Sequence, residues 1–212
     1  MLPLHELILV LVVLTDFWVL GATRLSSTIR VTAIQGGLLA ILPLALYGHF
    51  SPHIVGLVLG TFLIKAFVLP HFLTRAIRDT AVRREIEPMI GFTASLLLGA
   101  GAVALSFVVA PRVSPPGLTS GMLVPVALST VIIGLIVLTT RRKAISQVVG
   151  YLILENGIYA FGLTQAERVP FLVDVGVLLD VFVGVFIMGI VVFQINREFD
   201  SIDSARLTEL RD

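Results

Sequence analysis

Seven runs of mostly apolar residues, each close to the length needed to cross a bilayer, occupy most of this 212-residue chain. They lie at about 4–23, 31–48, 53–74, 89–110, 122–140, 144–163 and 170–194. A transmembrane helix needs about 20 such residues. Backbone N–H and C=O groups in lipid must be satisfied within the protein, and a helix does this within each run. The composition agrees: 57% of the residues are hydrophobic and 14% charged, against about 25% charged in soluble domains. An ordinary soluble enzyme and a disordered or fibrous chain are excluded. The expected fold is an all-α membrane protein with seven transmembrane helices in a single domain over residues 1–195, followed by a tail at 196–212. The opening Met1-Leu2-Pro3-Leu4-His5-Glu6 has no cation, so the first run reads as a mature span rather than a secretory signal.

Charge placement sets the expected orientation. Arg24, Arg30, Arg75, Arg78, Arg83, Arg84, Arg141, Arg142, Lys143, Arg197, Arg206 and Arg211 follow odd-numbered spans, whereas only Arg112 and Arg168 follow even-numbered ones. The positive-inside rule then puts the N-terminus outside and the C-terminal tail in the cytoplasm. A net charge of +1 offers no basic field for nucleic acid, and the lack of cysteine excludes disulfides, thiolate zinc and iron–sulfur ligation on this chain.

The informative residues are ionisable groups inside the spans: Asp16, Lys65, Glu155, Asp174 and Asp180. Placing a charge at mid-membrane costs at least ~2.5–3.5 kcal/mol. From the helical rise, Lys65, Glu155 and Asp180 lie ~15–18 Å from one membrane face, near the midplane of a core about 30 Å thick. Asp16 is nearer the inner side, and Asp174 is shallow enough to reach headgroup water. A buried lysine–carboxylate pair could serve packing alone. It could also serve a proton or ion path, since burial penalises the charged form of acid and base alike and makes proton exchange accessible. Gln35 and Asn156 add neutral polarity at similar depth. Gly36 and Gly37 allow close helix approach. Pro43 and Pro70 are candidate kinks, and Pro70, five residues after Lys65, frees a backbone carbonyl near the path. His5, His49, His53 and His71 flank the spans and offer no facing pair for a haem, so no cofactor or metal is expected on this chain.

Two stretches of the sequence run in parallel. Gln35-Gly36-Gly37-Leu38-Leu39-Ala40-Ile41 aligns with Glu155-Asn156-Gly157-Ile158-Tyr159-Ala160-Phe161, and Lys65-Ala66-Phe67-Val68 with Asp180-Val181-Phe182-Val183. The expected architecture is two parallel three-helix repeats, about 1–75 and 122–195, joined by one linking helix at about 89–110. In this register Gln35 corresponds to Glu155 and Lys65 to Asp180, so the halves differ in charge on a shared scaffold.

Gly150-Tyr151-Leu152-Ile153-Leu154-Glu155-Asn156-Gly157 and Leu179-Asp180 resemble the three-helix K subunit of bacterial complex I, whose second and third helices each carry an acid. The chain as a whole more closely resembles hydrogenase-4 component E, from formate hydrogenlyase-type complexes. The resemblance rests on the span-two glutamine turn, Phe62-Leu63-Ile64-Lys65, Glu155-Asn156-Gly157 and the tail Ile202-Asp203-Ser204-Ala205-Arg206-Leu207-Thr208-Glu209-Leu210. Asp180 is shorter than the glutamate of the complex I pattern, and Asn156 is not that subunit's usual neighbour; both suit the hydrogenase branch. The resemblance implies a non-catalytic membrane-arm subunit of the bacterial cytoplasmic (inner) membrane. Its partners would be antiporter-like membrane subunits and a cytoplasmic redox arm with iron–sulfur and, in hydrogenases, nickel–iron chemistry. Glu155, Asp180, Lys65, Gln35, Asn156 and Asp16 would form the proton pathway. The alternatives are a subunit of a multisubunit cation/proton antiporter, whose small C component also resembles the K subunit, a self-contained secondary transporter, and a structural spacer.

Overall fold

The computed structural model describes residues 3–47, 52–79, 89–114 and 120–165, together with Phe182, Gly184 and Gly189. The described residues form helices α1 (Leu4–Gly21), α2 (Leu25–Tyr47), α3 (Pro52–Leu63), α4 (Leu69–Asp79), α5 (Phe92–Val113), α6 (Leu123–Thr140) and α7 (Ala144–Leu163). A π-helical segment, Ile64–Val68, joins α3 directly to α4. Among the described residues, five spans are long and apolar enough to cross a membrane: α1, Leu25–Leu46 of α2, Val58–Arg75 through the π segment, α5 and α6. Helix α7 is as long as the expected sixth span, with Gln147, Glu155 and Asn156 along it. The expected seventh span, at 170–194, lies largely outside the described residues.

Two boundaries differ from the sequence reading. Helix α2 starts at Leu25 rather than near 31, so Arg30 belongs to the helix and not to a loop. Its first turns accommodate their polar residues locally: Thr28 Oγ1 donates to the Arg24 carbonyl at 3.1 Å, and Arg30 is exposed. The fourth span runs from Phe92 to Val113, a few residues later than expected. Met89 belongs to the preceding connection, where its N–H donates to the Thr140 carbonyl at 2.8 Å.

The π segment has a covalent cause on its C-terminal side. Pro70 has no N–H to return to a carbonyl one turn back. The preceding turn widens instead, with Leu69 N–H donating to the Ile64 carbonyl five residues earlier. This wider turn carries Lys65, which is buried.

Helices α6 and α7 form an antiparallel hairpin and pack more extensively than any other pair of the described helices. The approach depends on glycine. A Cβ on Gly157 would stand 2.6 Å from the Val131 backbone nitrogen, far inside van der Waals contact. Gly150 lies two turns earlier on the same face and meets the Leu138 backbone in the same way. At 100° per residue, Glu155 and Asn156 then point away from α6, towards α2 and the π segment. Gly157→Val is expected to part the hairpin and lower stability by about 1–3 kcal/mol or more, seen as a lower melting temperature of the chain in detergent.

Candidate functional site

The buried polar groups converge at the centre of the bundle. Lys65 is 4% exposed, Glu155 1%, Asn156 3%, Gln35 1% and Asp16 0%. Lys65 Nζ donates to both Glu155 carboxylate oxygens at 2.7 Å and to Asn156 Oδ1 at 2.9 Å. Asn156 Nδ2 donates to Gln35 Oε1 at 3.1 Å. Gln35 Nε2 donates to Asp16 Oδ1 at 2.7 Å, with the Val12 carbonyl at 3.4 Å. Thr130 Oγ1 donates to Asp16 Oδ2 at 2.7 Å. The result is one continuous chain, Glu155–Lys65–Asn156–Gln35–Asp16–Thr130, crossing from α7 to the π segment, back to α7, then to α2, α1 and α6.

The order of the chain fixes its polarity. An ammonium can only donate, so the oxygen of Asn156 must face Lys65 and its NH₂ must face Gln35. The Gln35 oxygen therefore receives that N–H, and the Gln35 NH₂ faces Asp16. Both amide dipoles align between a cation and a carboxylate, each polarising the next. Asp16 and Lys65 are thus linked electrically through two neutral side chains, while Glu155 pairs with Lys65 directly.

Local structure explains how Lys65 reaches this position. A Cβ on Gly36 would stand 2.8 Å from the Lys65 Cβ. Glycine at this position lets the π segment lie against α2, one residue from Gln35. Tyr159, one turn beyond Glu155 on α7, presents its ring 5.4 Å from the Lys65 nitrogen, a geometry in which the ring face attracts the cation.

Five of the six residues expected on the proton pathway meet here. The sixth, Asp180, lies outside the described residues, as does Asp174. Sequence reasoning missed Thr130 and Tyr159. The spacing of Tyr159 from Glu155 was a usable signal, because i and i+4 share a helix face. Thr130, next to Ser129 in an apolar run, looks like one more small helix residue. Thr130→Val is expected to destabilise the chain by about 1–3 kcal/mol, because Asp16 Oδ2 loses its hydroxyl donor in a dry site. Thr130→Ser should restore the wild-type melting temperature.

A second buried cation lies at one end of the bundle, in the connection where the sequence places it. Arg141, counted above among the loop cations, is 2% exposed. Its Nη2 donates to the Leu20 carbonyl at 2.9 Å, and its guanidinium lies 5.6 Å from the Phe92 ring centroid. Leu20 is in the last turn of α1, where carbonyls lack helical partners and a cation is favoured. Arg141 therefore ties the α6–α7 turn to the ends of α1 and α5. Of the described histidines, His71 is exposed and His5 half-buried.

No family model matches the chain, and no solved structure matches it. Among curated proteins it is 29% identical over 153 residues to hydrogenase-4 component E of Escherichia coli K12, covering 72% of this chain and 71% of the relative. The component E of Shigella flexneri matches over the same extent. The uncharacterized protein Rv0085 of Mycobacterium tuberculosis H37Rv is 34% identical over 204 residues, 94% of this chain and 92% of the relative. At that identity, over nearly the full length of both proteins, the chain belongs to the same family as mycobacterial Rv0085.

Proposed function

We propose that this chain is a membrane-arm subunit of a hydrogenase-4, formate hydrogenlyase or complex I-like redox complex, and that its central polar chain takes part in proton movement coupled to redox chemistry on other subunits. The observation that carries this reading is the buried chain from Glu155 to Asp16. Ionisable groups inside a membrane protein are expensive, and this chain keeps three of them in one hydrogen-bonded unit. The likeness to hydrogenase-4 component E supports the setting. In this reading the chain has seven spans in two parallel repeats, its C-terminus lies in the cytoplasm, and Asp180 joins the pathway from the seventh span.

The groups have different roles. Amide N–H groups do not release protons at ordinary pH, so Gln35 and Asn156 carry the electric field rather than the proton. Glu155 and Asp16 are the proton acceptors, and Lys65 sets which of them holds charge. A proton arriving at Glu155 weakens its hold on Lys65, and the ammonium then polarises the amides and Asp16 more strongly. The iron–sulfur and nickel–iron centres belong, in this proposal, to the partner redox arm.

Purification of the tagged chain from native membranes in mild detergent, followed by mass spectrometry, tests the assignment. Recovery of a redox arm together with antiporter-like subunits is the expected result. Recovery of antiporter subunits alone would move the function to cation/proton exchange, and recovery of the chain alone would favour an independent transporter.

A further inference from the structure

At one end of the bundle the last turn of α1, its connection to α2 and the start of α5 enclose a groove of about 410 Å³. Phe17, Trp18 and Leu96 form its apolar walls, and Arg24 and Ser27 stand at its polar end. Trp18 is 60% exposed, and its indole N–H donates to Ser27 Oγ at 3.3 Å. An aromatic body along the apolar wall with its N–H at the polar rim is the arrangement tryptophan adopts at a membrane–water boundary. Arg24 is exposed beside it.

The surrounding end of the bundle is electropositive. The Arg141–Leu20 bond holds the α6–α7 turn, with Arg142 and Lys143, against the end of α1. Helices α2, α5 and α7 begin at this end while α1 and α6 end there, so their dipoles largely offset and the positive field comes from the side chains of Arg24, Arg142 and Lys143. A groove with apolar walls, a hydroxyl and a guanidinium fits an amphiphile with an anionic head. A zwitterionic lipid would bring a second cation into an already positive field, and a soluble anion would leave the aromatic walls wet.

We infer that this groove holds an acidic phospholipid, its acyl chain along Phe17, Trp18 and Leu96 and its phosphate beside Arg24 and Ser27. The bound lipid would fasten the α1–α2 connection at the membrane surface, on the helices that carry Asp16 and Gln35. Basic pockets between transmembrane helices select anionic headgroups in this way.

Trp18 is the only tryptophan in the chain, so its fluorescence reports on the groove. The full-length chain is reconstituted into phosphatidylcholine vesicles containing an equal fraction of brominated phosphatidylglycerol or brominated phosphatidylcholine, and bromine quenching of Trp18 is compared. The expected result is about fivefold tighter association of the acidic lipid, falling as salt is raised. Arg24→Gln is expected to bring the two lipids close to parity, with quenching by phosphatidylcholine unchanged, while Arg24→Lys keeps most of the preference. Equal quenching by both lipids in the wild type, no quenching by either, or a preference that survives Arg24→Gln would each overturn the assignment.

Discussion

Glu155→Gln is expected to remove proton-coupled turnover while the complex still assembles. Glutamine keeps the length and branching of glutamate, so the face of α7 that packs near α2 and the π segment is preserved. Two properties are lost, the negative charge facing Lys65 and titration: the amide oxygen still accepts from the ammonium, but the group that holds Lys65 at 2.7 Å through both oxygens can no longer take up or release a proton. A positioned acid or base contributes about a hundredfold or more to a proton-transfer step, and a fall of that order in coupled turnover is expected. Recovery of the assembled complex on a native gel, with turnover assayed on the same preparation, separates this loss from misassembly.

Lys65→Met is expected to have the largest effect on stability. Methionine fills a similar volume but leaves Glu155 buried without its cation, and breaking a buried pair from one side costs about 3–5 kcal/mol. Asn156 Oδ1 loses its donor as well, so the amide chain towards Asp16 loses the charge that aligns it. The double variant Lys65→Met/Glu155→Gln should recover most of the lost stability, because no uncompensated charge remains. Thermal denaturation of the single and double variants in detergent measures the difference. A double variant as unstable as the single one would place the importance of Lys65 in its packing rather than its charge. Any turnover retained by Lys65→Met should also show an altered pH dependence of coupling; an unaltered one would argue for a purely structural pair.

The positions of most helices were legible because a bilayer imposes a length on apolar runs, and Leu123–Thr140 and Ala144–Leu163 fall where the hydropathy pattern puts them. The start of α2 was not, because its first turns mix Ser26, Ser27, Thr28 and Arg30 with only two buried apolar residues, Leu25 and Ile29, too few to read as a span. The central residues were legible by cost: Asp16, Lys65 and Glu155 stand out in apolar sequence because lipid gives a charge nowhere to go. Their pairing was not. Lys65 and Glu155 are 90 residues apart, and only the packing of α2 against α7 and the close passage at Gly36 bring them together. The part played by Gln35 and Asn156 was half legible. Their depth was evident, but their role as a bridge follows from donor and acceptor order, which needs the geometry. The place of Arg141 between two spans was legible, but its burial was not, because that depends on its carbonyl partner on α1.

The most direct test of the central claim is the number of protons moved per electron pair, measured in sealed membrane vesicles containing the complete complex. A pH-sensitive dye follows proton movement while redox turnover is recorded in the same sample, for the wild type and for Glu155→Gln. The account predicts that the wild type moves protons in proportion to its turnover. In Glu155→Gln any residual turnover should proceed with a proton yield near zero. A Glu155→Gln complex with the wild-type ratio would contradict it, leaving the Glu155–Lys65–Asn156–Gln35–Asp16 chain as a packing element of the helical bundle.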